Sequence, residues 1–225
     1  MSFMKSIVTA VFLVSMLVIG QLSSANEKPP EVDNHGLHLV HHSDLRLVST
    51  LPGTDFSTYD KAILVDAYVA FKKGFKREHN DGMNRITNQE MEKIKGRVAD
   101  EFRKAFTAEL EKDGIPVVAQ TETGDDVLII RPAIINLDIA APDPMSQVNN
   151  VRTVAPSAGQ MTLYAEIYDS VSSQMIAKVL DPEADRGYGG MAMQQNRVTN
   201  KAAEDRIVKM WAETMAKHMN AAIGK

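Results

Sequence analysis

The sequence predicts an α+β fold: a mainly antiparallel sheet of about five to six strands with two amphipathic helices packed on one of its faces. Three stretches carry that expectation. Val127 to Asp143, VLIIRPAIINLDIAAPD, is the longest apolar run outside the N-terminus and alternates with the period of a strand. Thr87 to Lys112, and the segment from Asn196 to Ala222, each place apolar residues at three- and four-residue spacing, the pattern of a helix with one buried stripe. Two such stripes need an apolar partner, and a sheet with one covered face is the simplest.

At the N-terminus, Lys5, the apolar run Ile7 to Ile19 and the small residues Ser23-Ser24-Ala25 follow the order of a secretory signal peptide cleaved after Ala25. A retained membrane anchor is the rival reading, but the apolar core is short for a span of about 20 residues and is interrupted by Gly20 and Gln21. Asn26 to Asn34, with Pro29-Pro30, reads as an extended linker, and residues 35–225 as a single α+β domain. The roughly 200 residues left after cleavage can bury about 70% of the surface that the unfolded chain exposes. There is no cysteine, which excludes disulfides, a thiol nucleophile, a thiolate metal site and a lipid anchor on an N-terminal cysteine. A net charge of −4 without a basic stripe speaks against nucleic acid as a partner. With the leader removed no stable membrane span is expected, and the periplasm is the expected location.

The remaining elements follow in order. His35 to His42 and Leu45 to Leu51 alternate weakly, as a short strand or extended arm would. Turn residues Pro52 to Asp55 and Ser57 to Asp60 precede a core strand over Ala62 to Phe71, and the charged stretch Lys72 to Asn84 reads as a solvated connection. Thr87-Asn88-Gln89-Glu90 is a capping box, so a helix starts at Asn88; Gly114 and Pro116 end it. Within the long apolar run, Val127, Ile129, Ala133, Ile135, Leu137 and Ile139 share one parity and are expected on one buried face, while Pro132 suggests a bulge or edge position. Met161 to Tyr168 reads as a strand with one dry and one wet face, Asp169 to Ser173 as a hairpin connection, and Gln174 to Leu180 as its partner strand. Asp181 to Gly190 reads as a loop, and Thr199 or Asn196 as the cap of the last helix, whose expected buried stripe is Ala203, Ile207, Met210, Trp211, Met215, His218 and Ala222.

Chemistry is sparse. Four of the six histidines fall within His35 to His42, and on a strand His38, His42 and Asp44 would face the same way as a candidate metal site. The competing reading is a polar edge strand. Asp181 to Asp185 only partly matches a calcium loop, because its glycine is one place late and Ala192 stands where a bidentate Glu belongs. Gly187 to Ala192 satisfies G-x-G-x-x-A without a surrounding βαβ unit. G-x-S-x-G and Walker motifs are missing, so no cofactor is called for. Asp143, Asp169, Arg186 and Asn200 are candidates to converge in a small-ligand cleft, and a hydrolase is the remaining alternative.

Several segments together resemble a bacterial envelope family known as domain of unknown function 3313. They are His35-Gly36-Leu37, the run Pro52 to Lys61 continuing to Val69-Ala70-Phe71, Asn136 with Ala141-Pro142-Asp143, Glu166 to Asp169, and Val198-Thr199-Asn200 before Trp211. The resemblance implies an exported envelope protein of α+β architecture with no assigned activity and no catalytic residues to carry over. Many relatives look like lipoproteins with a lipobox cysteine; this chain lacks one, which favours a soluble periplasmic form. The expectation is a non-catalytic exported module that binds another envelope protein or self-associates, with the Tyr164 and Tyr168 face and Met191 and Met193 as its docking patch.

Overall fold

The computed structural model describes residues 29–80, 86–139, 153–155, 159–185, 193–195 and 197–224. The expected leader, Asp143, Arg186 and Met191 lie outside the described residues. Contacts divide the chain into Met1–Glu31 and Val32–Lys225, and every strand and helix described below belongs to the second unit.

Among the described residues the sheet has seven strands: β1 (His38–Leu39), β2 (Leu47–Thr50), β3 (Lys61–Leu64), β4 (Tyr68–Phe71), β5 (Val127–Ile139), β7 (Gly159–Asp169) and β8 (Met175–Asp185). Their order is β1-β2-β8-β7-β5-β3, with β4 also on β5. A separate pair joins β6 (Thr153–Ala155) to β9 (Met193–Gln195). The helices are α1 (Phe75–His79), α2 (Asn88–Lys112) and α3 (Arg197–Ile223). The sheet is antiparallel except along one edge, where β3 and β4 both run parallel to β5. The α+β expectation therefore holds, with a strand more than anticipated because the predicted core strand Ala62 to Phe71 is broken in two.

The break has a cause in β5. Val65 donates its N–H to the Ile130 carbonyl, and backbone polar groups of alternate strand residues point to the same side. Pro132, two residues on, therefore turns its donor-less nitrogen toward β3 and β4 where a ladder would need a proton. The break over Val65 to Ala67 lies opposite this position, since β3 stops at the Leu64–Ile130 pair and β4 begins at Tyr68–Ala133. The bulge is not at Pro132, which pairs with Ala165, but at Asn136. Asn136 has φ +55, and both neighbouring ladders lose a residue there. A one-residue bulge reverses side-chain parity. Leu128, Ile130 and Ile134 reach the main core before it, and Leu137 and Ile139 after it. The single-parity face expected for Val127 through Ile139 is thus corrected: Val127, Ala133 and Ile135 are buried on the opposite side, outside that cluster.

Helix α2 begins as its capping box dictates, with Thr87 Oγ1 accepting from Glu90 N and the Glu90 carboxylate accepting from Thr87 N at 2.7 Å. Its stripe buries Val98, Phe102, Phe106 and Leu110. Gly114, at φ +78, continues the chain past the helix in the left-handed region that glycine adopts without strain. Helix α3 buries Ile207, Val208, Trp211, Ala212, Met215, Ala216, Met219 and Ile223 against the same core, whereas Met210 and Ala222 of the expected stripe are exposed and His218 is half-buried, because the buried face is centred between them. It starts at Arg197, so Thr199 lies inside it rather than capping it. The helices are also tied to each other: Arg97 holds the buried Glu204 through two hydrogen bonds of 2.5 and 3.2 Å. Burial pushes the Glu204 carboxyl up, and the Arg97 guanidinium opposes that. Asp181 is not in a loop but in β8, 3% exposed, accepting from Trp211 Nε1 and from Arg46 N, each at 2.7 Å.

Candidate functional site

Of the four residues expected in a small-ligand cleft, Asp169 and Asn200 lie among the described residues. Asp169 closes the β7–β8 hairpin: its Oδ1 accepts from the Ser172 amide and hydroxyl, both at 2.6 Å, and its Oδ2 from the Tyr59 hydroxyl at 3.1 Å. The Ser172 bonds hold its carboxyl below the usual carboxylate range. Asn200 lies in the first turn of α3. Of the metal candidates, His38 is on the exposed edge strand β1, His42 follows at φ +64, and Asp44 lies 3.3 Å from His218 Nε2. No three His, Asp or Glu side chains among the described residues gather closely enough to hold a metal ion.

Two other arrangements emerge. On the face of the sheet away from the helices, Arg131, Glu166 and Lys178 stand side by side on β5, β7 and β8. Glu166 is 4% exposed, and its two oxygens accept from the Tyr164 and Tyr168 hydroxyls, each at 2.8 Å. The Arg131 guanidinium lies 5.5 Å from the centre of the Tyr168 ring, within cation–π range, and Lys178 bonds Asp33. Burial, followed by the adjacent Glu166 charge, raises both phenols, so they remain donors. The expected docking face thus has its tyrosine hydroxyls committed to an internal network.

The second arrangement lies beside β4. Gly74, at φ +87, turns the chain into α1, and a Cβ there would meet Glu78 Oε1 at 3.1 Å. This turn places Phe75 on Phe71, with ring centres 4.4 Å apart, and His79 on Phe75 at 4.1 Å. A groove of about 790 Å³ runs over Phe71, Phe75 and Met91, and Lys76, Arg77 and Lys95 line its rim. Lys72 forms one wall and also lines a second cavity of about 770 Å³ with Asn136, Gln160 and Thr162. Its ammonium bonds Asp138 at 2.6 Å and Glu78 at 2.8 Å, and those bonds hold it above the ordinary lysine range. Lys72 is therefore a fixed positive charge, not an amine available for nucleophilic attack. Sequence reasoning read Lys72 to Asn84 as a solvated connection and missed this site. The available signal was the aromatic spacing of Phe71, Phe75 and His79 combined with four cations in Lys72-Lys73-Gly74-Phe75-Lys76-Arg77.

The model of a family described as protein of unknown function (DUF3313) matches residues 43–215, and the chain belongs to that family. No curated protein is significantly similar to the chain. Among solved structures, the chain is similar to a PelC dodecamer from Paraburkholderia phytofirmans at 7% identity and a TM-score of 0.38, covering 75% of this chain and 96% of that one. It is also similar to a DUF330 protein from Xanthomonas campestris, at 10% identity and a TM-score of 0.43, with coverage of 73% and 85%. A DUF4136 family protein from Bacteroides thetaiotaomicron shares 11% identity at a TM-score of 0.37, with coverage of 85% and 98%. Nothing about ligand or assembly is carried over from similarities this distant. Among the described residues no helix is long and apolar enough to cross a membrane.

Proposed function

We propose that this protein is an exported, periplasmic module of the cell envelope that works by binding another envelope protein or a second copy of itself. The leader is cleaved after Ala25, so that the mature chain begins at Asn26. The observation that carries the binding reading is the groove beside β4, where the half-buried Phe71 and Met91, backed by the buried Phe75, lie beneath a cationic rim. An apolar floor with a charged border is the anatomy of a recognition surface. The titratable groups around it support binding over proton transfer, because Lys72 is held charged and Glu78, bonded to Lys72, is held below the usual carboxylate range.

Formaldehyde cross-linking of the tagged protein in living cells tests this reading. A discrete complex that is lost when the rim is reversed by Lys76→Glu with Arg77→Glu is the expected outcome. Recovery of monomer alone would contradict it.

A further inference from the structure

Resting on that reading, we propose that the groove accepts an extended acidic segment of a partner protein, which adds to the outer edge of β4 as a further strand. The first ground is the edge itself. Lys72 donates its N–H to the Leu137 carbonyl across the β4–β5 boundary. By alternation, Val69 and Phe71 turn their backbone N–H and C=O groups away from β5. Among the described residues no strand pairs with that side of β4. The edge is short, with Val69 6% exposed and Phe71 half-buried; backbone donors and acceptors that no neighbouring strand pairs are a template for an incoming strand.

The second ground is the space next to that row. A groove of about 790 Å³ exceeds what one side chain fills and suits several residues of an extended peptide. Its floor alternates between strand and helix, with Phe71 on β4, Phe75 on α1 and Met91 on α2. Side chains on alternate residues of an added strand would point into it.

Charge is the third ground. The chain carries a net −4, yet Lys72 to Arg77 holds four cations in six residues, and Lys95 faces them from α2. Lys76 bonds the neutral Asn88 amide oxygen, at 2.6 Å, and Arg77 lies beside Glu78, whose carboxyl its charge helps to lower. Lys95 is bonded to Glu92 at 2.8 Å, which offsets its charge. Lys76 and Arg77 are thus exposed positive charges beside a backbone edge. An anionic lipid headgroup would satisfy the cations but leave the Val69 and Phe71 amides unpaired, so a peptide fits more of the site.

The test uses the exported full chain and a fluorescent decapeptide of alternating Glu and Val. Three comparators accompany it: a Lys-for-Glu version, a version of equal charge interrupted by proline, and vesicles containing an anionic phospholipid. The acidic peptide should bind, and its affinity should fall with added salt. It should slow amide exchange at Val69 and Phe71, and should lose roughly tenfold in affinity on Lys76→Glu with Arg77→Glu. Both positions are exposed, and unchanged circular dichroism confirms that the variant folds. Equal binding of the proline-interrupted peptide would overturn strand addition, as would binding of the vesicles alone or concentration-dependent dimers that exclude the peptide. If no peptide binds while cells still yield a cross-linked complex, strand addition is wrong and the binding reading stands. If the cells yield monomer only, both fall.

Discussion

Replacing Trp211 by Phe probes how helix α3 is fixed to the sheet. Trp211 is fully buried, and its indole N–H donates to Asp181 Oδ2 at 2.7 Å; Asp181 is itself only 3% exposed. The substitution keeps an aromatic ring in place but leaves one oxygen of a buried carboxylate with a missing donor. A hydrogen bond to a charged group contributes about 1.5–3 kcal/mol, and the smaller ring adds a cavity cost of about 1 kcal/mol. The total is about 3 kcal/mol, which for a domain of this size lowers Tm by roughly 6–12 °C. Thermal and urea unfolding of W211F measure it, and a cycle with D181N isolates the pair, with an expected coupling of about 1.5 kcal/mol or more. A shift under about 2 °C, or no coupling, would refute the role assigned to this contact.

Three further outcomes are expected. Arg97→Met strands the buried Glu204 carboxylate and should cost about 3 kcal/mol at neutral pH, while the Arg97→Met, Glu204→Leu pair recovers most of it. Because the Glu204 carboxyl is already raised, the folded state holds its proton more tightly than the unfolded chain, so the loss in Arg97→Met should shrink as pH falls; urea titrations across acidic pH read this. Asn136→Val forces a β-branched residue to φ +55 and should cost about 1–3 kcal/mol, whereas Asn136→Gly should be close to neutral, as judged by denaturant midpoints. Asp169 has a lowered pKa, so the stability it contributes is complete above the ordinary carboxylate value of about 4 and is lost as pH falls through its folded value. Asp169→Asn should flatten the acid limb of the stability curve.

Local signals were the legible ones. The Thr87–Glu90 capping box, the Gly114 terminus and the β7–β8 hairpin are each specified within a few residues, and each stands where it was expected. The shape of β5 was not readable, because the bulge at Asn136 is defined by the ladders on both sides and its parity change appears only when those partners are present. Asp181 looked like a loop acid because its partners, Trp211 and Arg46, are 30 and 135 residues away. The groove escaped notice for a similar reason. Helix α1 has only five residues and is charged, so its pattern is indistinguishable from a connection until Phe75 is seen stacked on Phe71. Of the residues that the sequence offers for a ligand cleft, Asp169 bonds within its own turn, the use to which aspartate at such positions is most often put.

Recognition of a partner through the groove beside β4 is the proposal from which the functional reading follows. A photo-reactive amino acid placed at Arg77 in living cells tests it most directly, with the same residue at the 62% exposed Val171 on the hairpin tip as the comparison. A specific covalent adduct from position 77 and none from position 171 is the expected result. Adducts from neither position, or the same adduct from both, would contradict it.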